Sequence, residues 1–227
     1  MAAPFLPRVR GFDANTSEIE ARGIFGAALA MDWRQALIAR GFGWLVENGT
    51  LTTPITGGGT GVTVLDLEQP QLVLNIPSGL AMVPLRISIE AQIGLQTTDA
   101  HENELWIGYD RTQVQANGTS TAVTPSNMRT DLGGTTAPFT ARTTYTADGV
   151  ATPLINTLAR KQASTDLQGL ATNMNVYQFD LIYEPVNPPM ICGPANISLY
   201  WGGSIALPAF SQAYVLAFPS NLLTVLS

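Results

Sequence analysis

Charged residues are scarce in this chain of 227 amino acids. The 11 basic and 17 acidic residues make up 12% of the sequence, whereas about 25% is usual for a soluble domain. Hydrophobic residues account for 45%, and the mean hydropathy is +0.15. Because disordered segments are rich in charge and poor in apolar residues, this composition predicts a folded chain. Its length fits one large domain better than two.

Lysine is almost absent, since ten of the eleven basic residues are arginine and the only lysine is Lys161. Arginine forms planar, bidentate pairs, and interface cores are enriched in it and depleted in lysine. The preference for arginine over lysine fits a surface covered by partner proteins. Alternatively, a GC-rich genome would also replace lysine by arginine. The net charge of −6 disfavours general binding to nucleic acid or anionic membranes, because such binding relies on clustered Lys and Arg.

A single cysteine, Cys192, excludes an intramolecular disulfide, and we expect it to be buried as a small hydrophobe. The longest nearly uncharged apolar run, residues 23–31, is shorter than the roughly 18 residues of a membrane span. No signal peptide is visible. We therefore expect a protein made in a cytoplasm, in which the sequons at Asn48, Asn117 and Asn196 form turns rather than glycosylation sites.

The N-terminal segment predicts an arm followed by a helix. Residues 1–16 contain two prolines and no hydrophobic period, which indicates an extended arm. Ser17 and Glu20 form a capping box before apolar residues at helical spacing, so we expect one helix or two short ones. Glycines weaken the first half of this helix, and residues 31–40 are the better-supported part.

From Trp44 onward the apolar period changes from helical to alternating, which predicts β-structure. In the clearest strand, residues 85–93, the odd positions are apolar and face a core. Further strands are expected at 43–52, 62–67, 72–76, 104–113, 139–147, 153–160, 177–183, 197–201 and 212–218. Eight to ten strands without interleaved helices predict an all-β antiparallel sandwich or barrel. We assign the arm and helix to residues 1–42 and the β domain to residues 43–227.

No catalytic constellation is evident, and we expect a protein that is not an enzyme and has no cofactor. The glycine-rich run at residues 57–61 lacks the Lys-Ser/Thr of a phosphate-binding loop and predicts a hairpin turn. Cys192 and the only histidine, His101, could pair only through the fold, so a structural thiol is favoured. No serine lies in a G-x-S-x-G elbow, and nothing selects a pair of carboxylates for glycoside chemistry.

Two binding hypotheses involve acidic and aromatic side chains. Asp99, Glu102 and Glu104 offer the hard oxygen ligands that Ca²⁺ prefers, although a solvated loop is the favoured interpretation. Aromatic rings stack on sugars, so strand aromatics could form a glycan-binding face, although packing in a core or between subunits is commoner. The aromatic candidates are Trp44, Trp106, Tyr109, Tyr200 and Trp201.

A proline-containing arm, a short helix and eight or more strands with long Gly/Thr/Pro loops resemble the single jelly-roll capsid proteins of tailless icosahedral bacteriophages and related environmental viruses. The resemblance is carried by GWLVENGTLTTPITGGGTG, PLRISIEAQI and ISLYWGGSIALPAFSQAYVLAF, within residues 44–218. It is a match of pattern, not of a diagnostic motif. The strongly basic arm of many RNA-virus shells is absent, because acidic residues nearby offset Arg8, Arg10 and Arg22.

The resemblance implies a single jelly-roll fold and a structural role in the virion, as a shell subunit that assembles with itself and with other capsid subunits. The low charge agrees with this role, because charges at subunit contacts would have to be desolvated. The alternative is a lectin-like or receptor-binding β-sandwich module of a virion or cell surface, with a glycan or receptor as partner. A β-sandwich hydrolase is a third hypothesis.

Overall fold

Two antiparallel β-sheets packed face to face dominate this computed structural model. The structure describes residues 19–22, 28–57, 65–67, 69–93, 101–112, 119–144, 155–165, 177–203 and 207–221. The six-stranded sheet contains, from edge to edge, β11 (Asn156–Thr165), β7 (His101–Asp110), β14 (Ala195–Gly203), β5 (Leu72–Ile76), β10 (Thr140–Thr143) and β8 (Thr121–Val123). The seven-stranded sheet contains β12 (Tyr177–Tyr183), β6 (Leu80–Ile93), β15 (Pro208–Pro219), β3 (Gly43–Asn48) and β9 (Ser126–Asn127).

The remaining elements are short. β13 (Ile191–Cys192) pairs with β6, and β4 (Ile55–Thr56) pairs with β15, which completes the seven-stranded sheet. β1 (Ile19–Arg22) and β2 (Ala28–Met31) form a separate two-stranded sheet, and α1 (Trp33–Ala39) follows them. The all-β sandwich class predicted from the sequence is confirmed.

The core lies between the two sheets and takes alternate residues from each strand. β5 contributes Leu72, Leu74 and Ile76, as its alternation predicted, and β14 contributes Ile197 and Leu199. Successive side chains of a strand point to opposite faces. The even-numbered residues of β14 and of its partner β7 therefore lie on the outward face of the six-stranded sheet.

β6 changes the face of its apolar residues at Leu85. In the pairing of β6 with β15, Tyr214 is opposite Arg86 and Val215 is opposite Pro84, so Leu85 has no partner in β15. An extra residue of this kind reverses the alternation, so Met82 lies in the core before it and Ile87 lies in the core after it. Leu85 packs instead on the outer face of the sheet, and its predicted core position is wrong.

α1 lies within the favoured window of residues 31–40 and begins after Asp32, whose Oδ1 accepts a hydrogen bond from Arg34 N at 3.3 Å. The helix predicted from Ser17 onward is wrong in its first half, because β1 and β2 occupy this segment as paired strands. Glycines there disfavour a helix, whereas strand pairing satisfies the backbone groups. The arm predicted at residues 1–16 lies outside the described residues.

Apolar residues of α1 and of the chain just after it cover part of the outer face of the seven-stranded sheet. Trp33, Leu37 and Ile38 pack there, and the rings of Phe42 and Phe218 meet edge to face with their centroids 6.3 Å apart. The sheet residues of this outer cluster are Ala81, Val83, Leu216 and Phe218. The division of the chain at residues 42 and 43 stays a prediction.

Most predicted strands overlap observed ones. Residues 65–67 of the strand predicted at 62–67 are not in a strand, and the rest of that segment lies outside the described residues, as does most of the hairpin predicted at 57–61. The described residues form fifteen strands, where eight to ten were expected, and eight of the fifteen have five or more residues. The shorter strands carry too little alternation to be predicted.

Candidate functional site

The five aromatic residues considered for a glycan-binding face are divided between the core and the outward surface. Trp44 and Trp201 lie in the core, where the Nε1 of Trp201 donates to a backbone carbonyl at 3.0 Å. Tyr109 packs against the same core. Trp106 and Tyr200 contact each other on the outward face of the six-stranded sheet. The common face that glycan stacking requires therefore does not form.

Trp106 and Tyr200 belong to a group that is already bonded internally. Their ring centroids are 5.9 Å apart. The guanidinium carbon of Arg160 lies 5.7 Å from the Trp106 ring centre, and the guanidinium forms an ion pair with the buried Glu104. The indole N–H and the phenol O–H each donate to a protein oxygen at 3.1 Å. These contacts suit a group that supports the sheet.

A second group on this face, here called the polar row, consists of Asp110, Asn196, Asn75 and Thr140, one from each of four neighbouring strands. Asp110 and Asn196 are fully buried although they point away from the core. Asp110 Oδ1 accepts hydrogen bonds from the Thr112 backbone and hydroxyl at 2.8 and 2.6 Å. Neither amide atom of Asn196, nor the Oδ1 of Asn75, has a hydrogen-bond partner among the described residues.

Ser198 lies beside the polar row on the same face of β14. It is fully buried, and its hydroxyl also lacks a hydrogen-bond partner in the described part of the chain. Gly108 is directly opposite, and a Cβ at Gly108 would lie 2.2 Å from Cγ2 of Ile155, so Ile155 covers this position. Val73, on the other side of Ser198, is fully buried. Apolar side chains thus flank the unpartnered polar atoms.

The same burial corrects the interpretation of the sequons. Asn196 and Ser198 lie within β14, so the turn predicted there is wrong. Asn48 ends β3 and is buried, and its Nδ2 donates to the carbonyl of Gln71 at 2.8 Å. Asn117 lies outside the described residues.

The acidic stretch considered for Ca²⁺ is divided by the fold. Asp99 lies outside the described residues. Glu104 is in β7, as the strand predicted at 104–113 implied, and Glu102 is also in β7 and not in the solvated loop that was expected. Glu104 is paired with Arg160. Within the described chain, no group of three or more His, Cys, Asp or Glu side chains could hold a metal ion.

Cys192 and His101 lie near opposite ends of the sandwich. Cys192 lies three residues before the start of β14. His101 is the first residue of β7 and precedes Asn103, which pairs with Gly203 at the other end of β14. The nine residues of β14 span about 26 Å at a rise of about 3.3 Å per residue. The fold thus keeps Cys192 and His101 far apart along the sandwich. Cys192 is exposed, not buried as expected, because its neighbour Ile191 takes the buried position.

The connection between β12 and β14 exposes apolar side chains. Val186 is 85% exposed and Met190 is 47% exposed. α1 borders this connection, since Arg34 Nη2 donates to the carbonyl of Val186 at 2.7 Å. Val186 and Met190 are here called the end surface.

Arg129 stabilises the connection between α1 and β3. Its guanidinium donates to the carbonyl of Ala39 at 2.8 Å and forms an ion pair with Asp131. The hydrogen bond from Arg129 holds the pKa of Asp131 below its usual range. Tyr183 is partly buried against the core, and this burial raises the pKa of its phenol. Both shifts arise from contacts that support the fold.

The polar row was not among the sites predicted from the sequence. Asn196 and Ser198 alternate with apolar residues, a pattern normally typical of a strand with one solvated face. Their burial cannot be read from that pattern. The pairing of β14 with β5 and β7, which are distant in sequence, brings Asp110 and Asn75 beside Asn196.

Comparison of the chain with models of protein families, with curated proteins and with solved structures finds no match. In the part of the chain that the structure describes, no helix combines the length and apolar character needed to cross a bilayer.

Proposed function

We propose that the sandwich is a single jelly roll, and nested strand pairing supports this. When the eight strands of five or more residues are counted in chain order, the first pairs with the eighth, the second with the seventh, the third with the sixth and the fourth with the fifth. These pairs are β3 with β15, β5 with β14, β6 with β12 and β7 with β11. The resulting sheet orders are 1-8-3-6 and 2-7-4-5, which fit the eight strands and two Greek keys of a jelly roll.

We further propose that the protein is a capsid subunit of a virion, which assembles with copies of itself and with other capsid subunits. A fold does not by itself specify a function. The observation that carries the assembly role is the scarcity of charge, with 28 of 227 residues ionisable as Asp, Glu, Lys or Arg. Such an exterior can be covered by neighbours with few unpaired ions to desolvate, a process that is costly.

The end surface supports the same role. A stable contact buries roughly 800 Å² on each partner, so a subunit with several neighbours has much of its exterior covered. Val186 and Met190 expose apolar surface beside α1, where contact with another subunit would remove it from water.

The direct test is the state of the purified full-length chain, measured by size-exclusion chromatography with light scattering and by negative-stain microscopy. We expect oligomers or closed particles that persist at high salt, because contacts with few charges are little affected by screening. A dispersed monomer at every salt and protein concentration would refute the proposal.

A pair of variants locates the contact. Val186→Lys places a charge on the end surface and should reduce the assembled fraction. Thr136→Lys adds the same charge at an exposed loop position that is not part of the end surface and should leave assembly unchanged. If both variants assemble to the same extent, the end surface is not part of the subunit contact.

The alternative of a glycan-binding module has less support. The aromatic residues that motivated it lie on different faces, and Trp106 uses its N–H and one ring face within the protein.

A further inference from the structure

Unpartnered polar atoms of the polar row and of the neighbouring Ser198 point to a ligand. Asn196 and Ser198 are fully buried, and their side-chain polar atoms have no hydrogen-bond partner among the described residues. Buried polar groups are normally satisfied by protein, water or an ion, and an unpaired one is costly. These side chains therefore require a partner that the described residues do not supply.

The strand register holds several oxygen atoms near one another. Asn196 is directly opposite Asp110 on one side and Asn75 on the other, and the Cβ atoms of such pairs are about 5 Å apart. Ser198 lies two residues further along β14, on the same face. A carboxylate, two carboxamide oxygens and a hydroxyl are thus grouped above one short stretch of β14.

These are the ligand types that Ca²⁺ binds. Ca²⁺ takes six to eight oxygen atoms at roughly 2.3–2.6 Å in a flexible geometry, whereas Mg²⁺ demands a near-octahedral shell and keeps its water. The apolar flanks formed by Ile155 and Val73 lower the local dielectric, which strengthens the attraction between a cation and Asp110.

We propose that Asp110, Asn196, Ser198 and Asn75 form a Ca²⁺ site on the outward face of the six-stranded sheet. The site is separate from the acidic stretch at residues 99–104 and does not depend on the role in a capsid. With one carboxylate it belongs to the weak class of calcium sites, with a dissociation constant of about 10⁻⁴–10⁻³ M.

Calorimetric titration of CaCl₂ into the full-length chain, stripped of metal with EGTA, tests the site. We expect saturable binding near one ion per chain. Asp110→Asn removes the only charge among the proposed ligands and should weaken this binding at least about tenfold, since even groups that only support a metal ligand have effects of this size. Glu47→Gln, which neutralises an exposed carboxylate of the other sheet, should leave binding unchanged.

A second variant keeps the test decisive if Asp110→Asn does not fold. Asn196→Asp places a second carboxylate opposite Asp110. The unfolding temperature of this variant should therefore be lower than that of the native chain in EGTA and should be restored in CaCl₂. The variant should also bind Ca²⁺ more tightly than the native chain. Asn156→Asp adds the same charge at an exposed position of β11 and should show no such recovery.

Two results would overturn the proposal. One is the absence of saturable Ca²⁺ binding by the native chain up to about 10 mM, ten times the weakest affinity of this class, which would leave water as the partner of Asn196. The other is an unfolding temperature of Asn196→Asp that CaCl₂ does not raise above that of Asn156→Asp.

Discussion

Lys161, the only lysine of the chain, joins the edge strands of the two sheets. Its Nζ donates to the carbonyl of Asp180 at 2.7 Å and lies 5.0 Å from the centre of the Phe179 ring. Edge strands present unpaired backbone groups that can pair with other chains, and a lysine there discourages such pairing. The compact ammonium thus both connects the sheets and protects an edge.

Lys161→Met removes the ammonium while it keeps an apolar side chain. We expect the free energy of unfolding to fall by about 1 kcal/mol, because an exposed ion pair or a hydrogen bond contributes about this much or less. Arg111→Met removes the same charge from another exposed position and should change it by less than about 0.5 kcal/mol. Urea unfolding followed by tryptophan fluorescence measures both. Equal losses would show that Lys161 does not connect the sheets.

Individual positions were predictable where alternation is regular. Leu72, Leu74 and Ile76 face the core as their spacing indicated. Leu85 does not, because a bulge depends on the register with β15 and leaves no mark in the local pattern. The burial of Asn196 was unpredictable for a similar reason, since it depends on what covers the outward face of the sheet.

At the scale of elements, α1 depends on the sheet beneath it. An isolated helix shorter than about 12 residues is marginal in water, and α1 has seven. Its apolar residues Trp33, Leu37 and Ile38 pack against the outer cluster. Tertiary packing therefore accounts for most of its stability.

Leu37→Ala tests this dependence without lowering helix propensity. We expect the free energy of unfolding to fall by about 1–2 kcal/mol, since a partly buried leucine loses part of its transfer free energy. Gln35→Ala, on the exposed side of the same helix, should change it by less than about 0.5 kcal/mol. Urea unfolding under identical conditions compares the two. If Gln35→Ala costs as much as Leu37→Ala, contact with the sheet does not stabilise α1.

The segment before α1 shows why helix prediction failed in part. Apolar residues there recur at helical spacing, but four-residue stretches satisfy that spacing and strand pairing equally well. β1 and β2 pair from Ile19 with Met31 to Arg22 with Ala28. Strand pairing depends on the sequences of two segments, whereas a capping box is a pattern within one segment.

At the scale of the molecule, the sequence predicted the sandwich class but not the pairing of its strands. Alternation and turn residues describe one strand at a time. The pairing of β3 with β15 joins residues such as Asn48 and Ser211, which no local pattern connects. The polar row could not be foreseen for this reason, because it requires strands from four parts of the chain.

The N-terminal segment allows assembly to be separated from folding. Among the described strands, β1 and β2 pair only with each other, whereas α1 and Phe42 pack on the sandwich. Removal of residues 1–31 should therefore keep the unfolding temperature within about 4 °C, the shift that about 1 kcal/mol causes in a chain of this size. If the proposed assembly role uses this segment, the assembled fraction should fall.

Removal of residues 1–42 is the matched control for this deletion. It also takes away α1 and Phe42 and exposes the outer cluster, so calorimetry should show a larger loss of unfolding temperature than for the shorter deletion. Size-exclusion chromatography compares the assembly of both forms with that of the full-length chain. If the shorter deletion already unfolds the sandwich, residues 1–31 belong to the folding unit. If it assembles as the full chain does, subunit contacts lie on the sandwich itself.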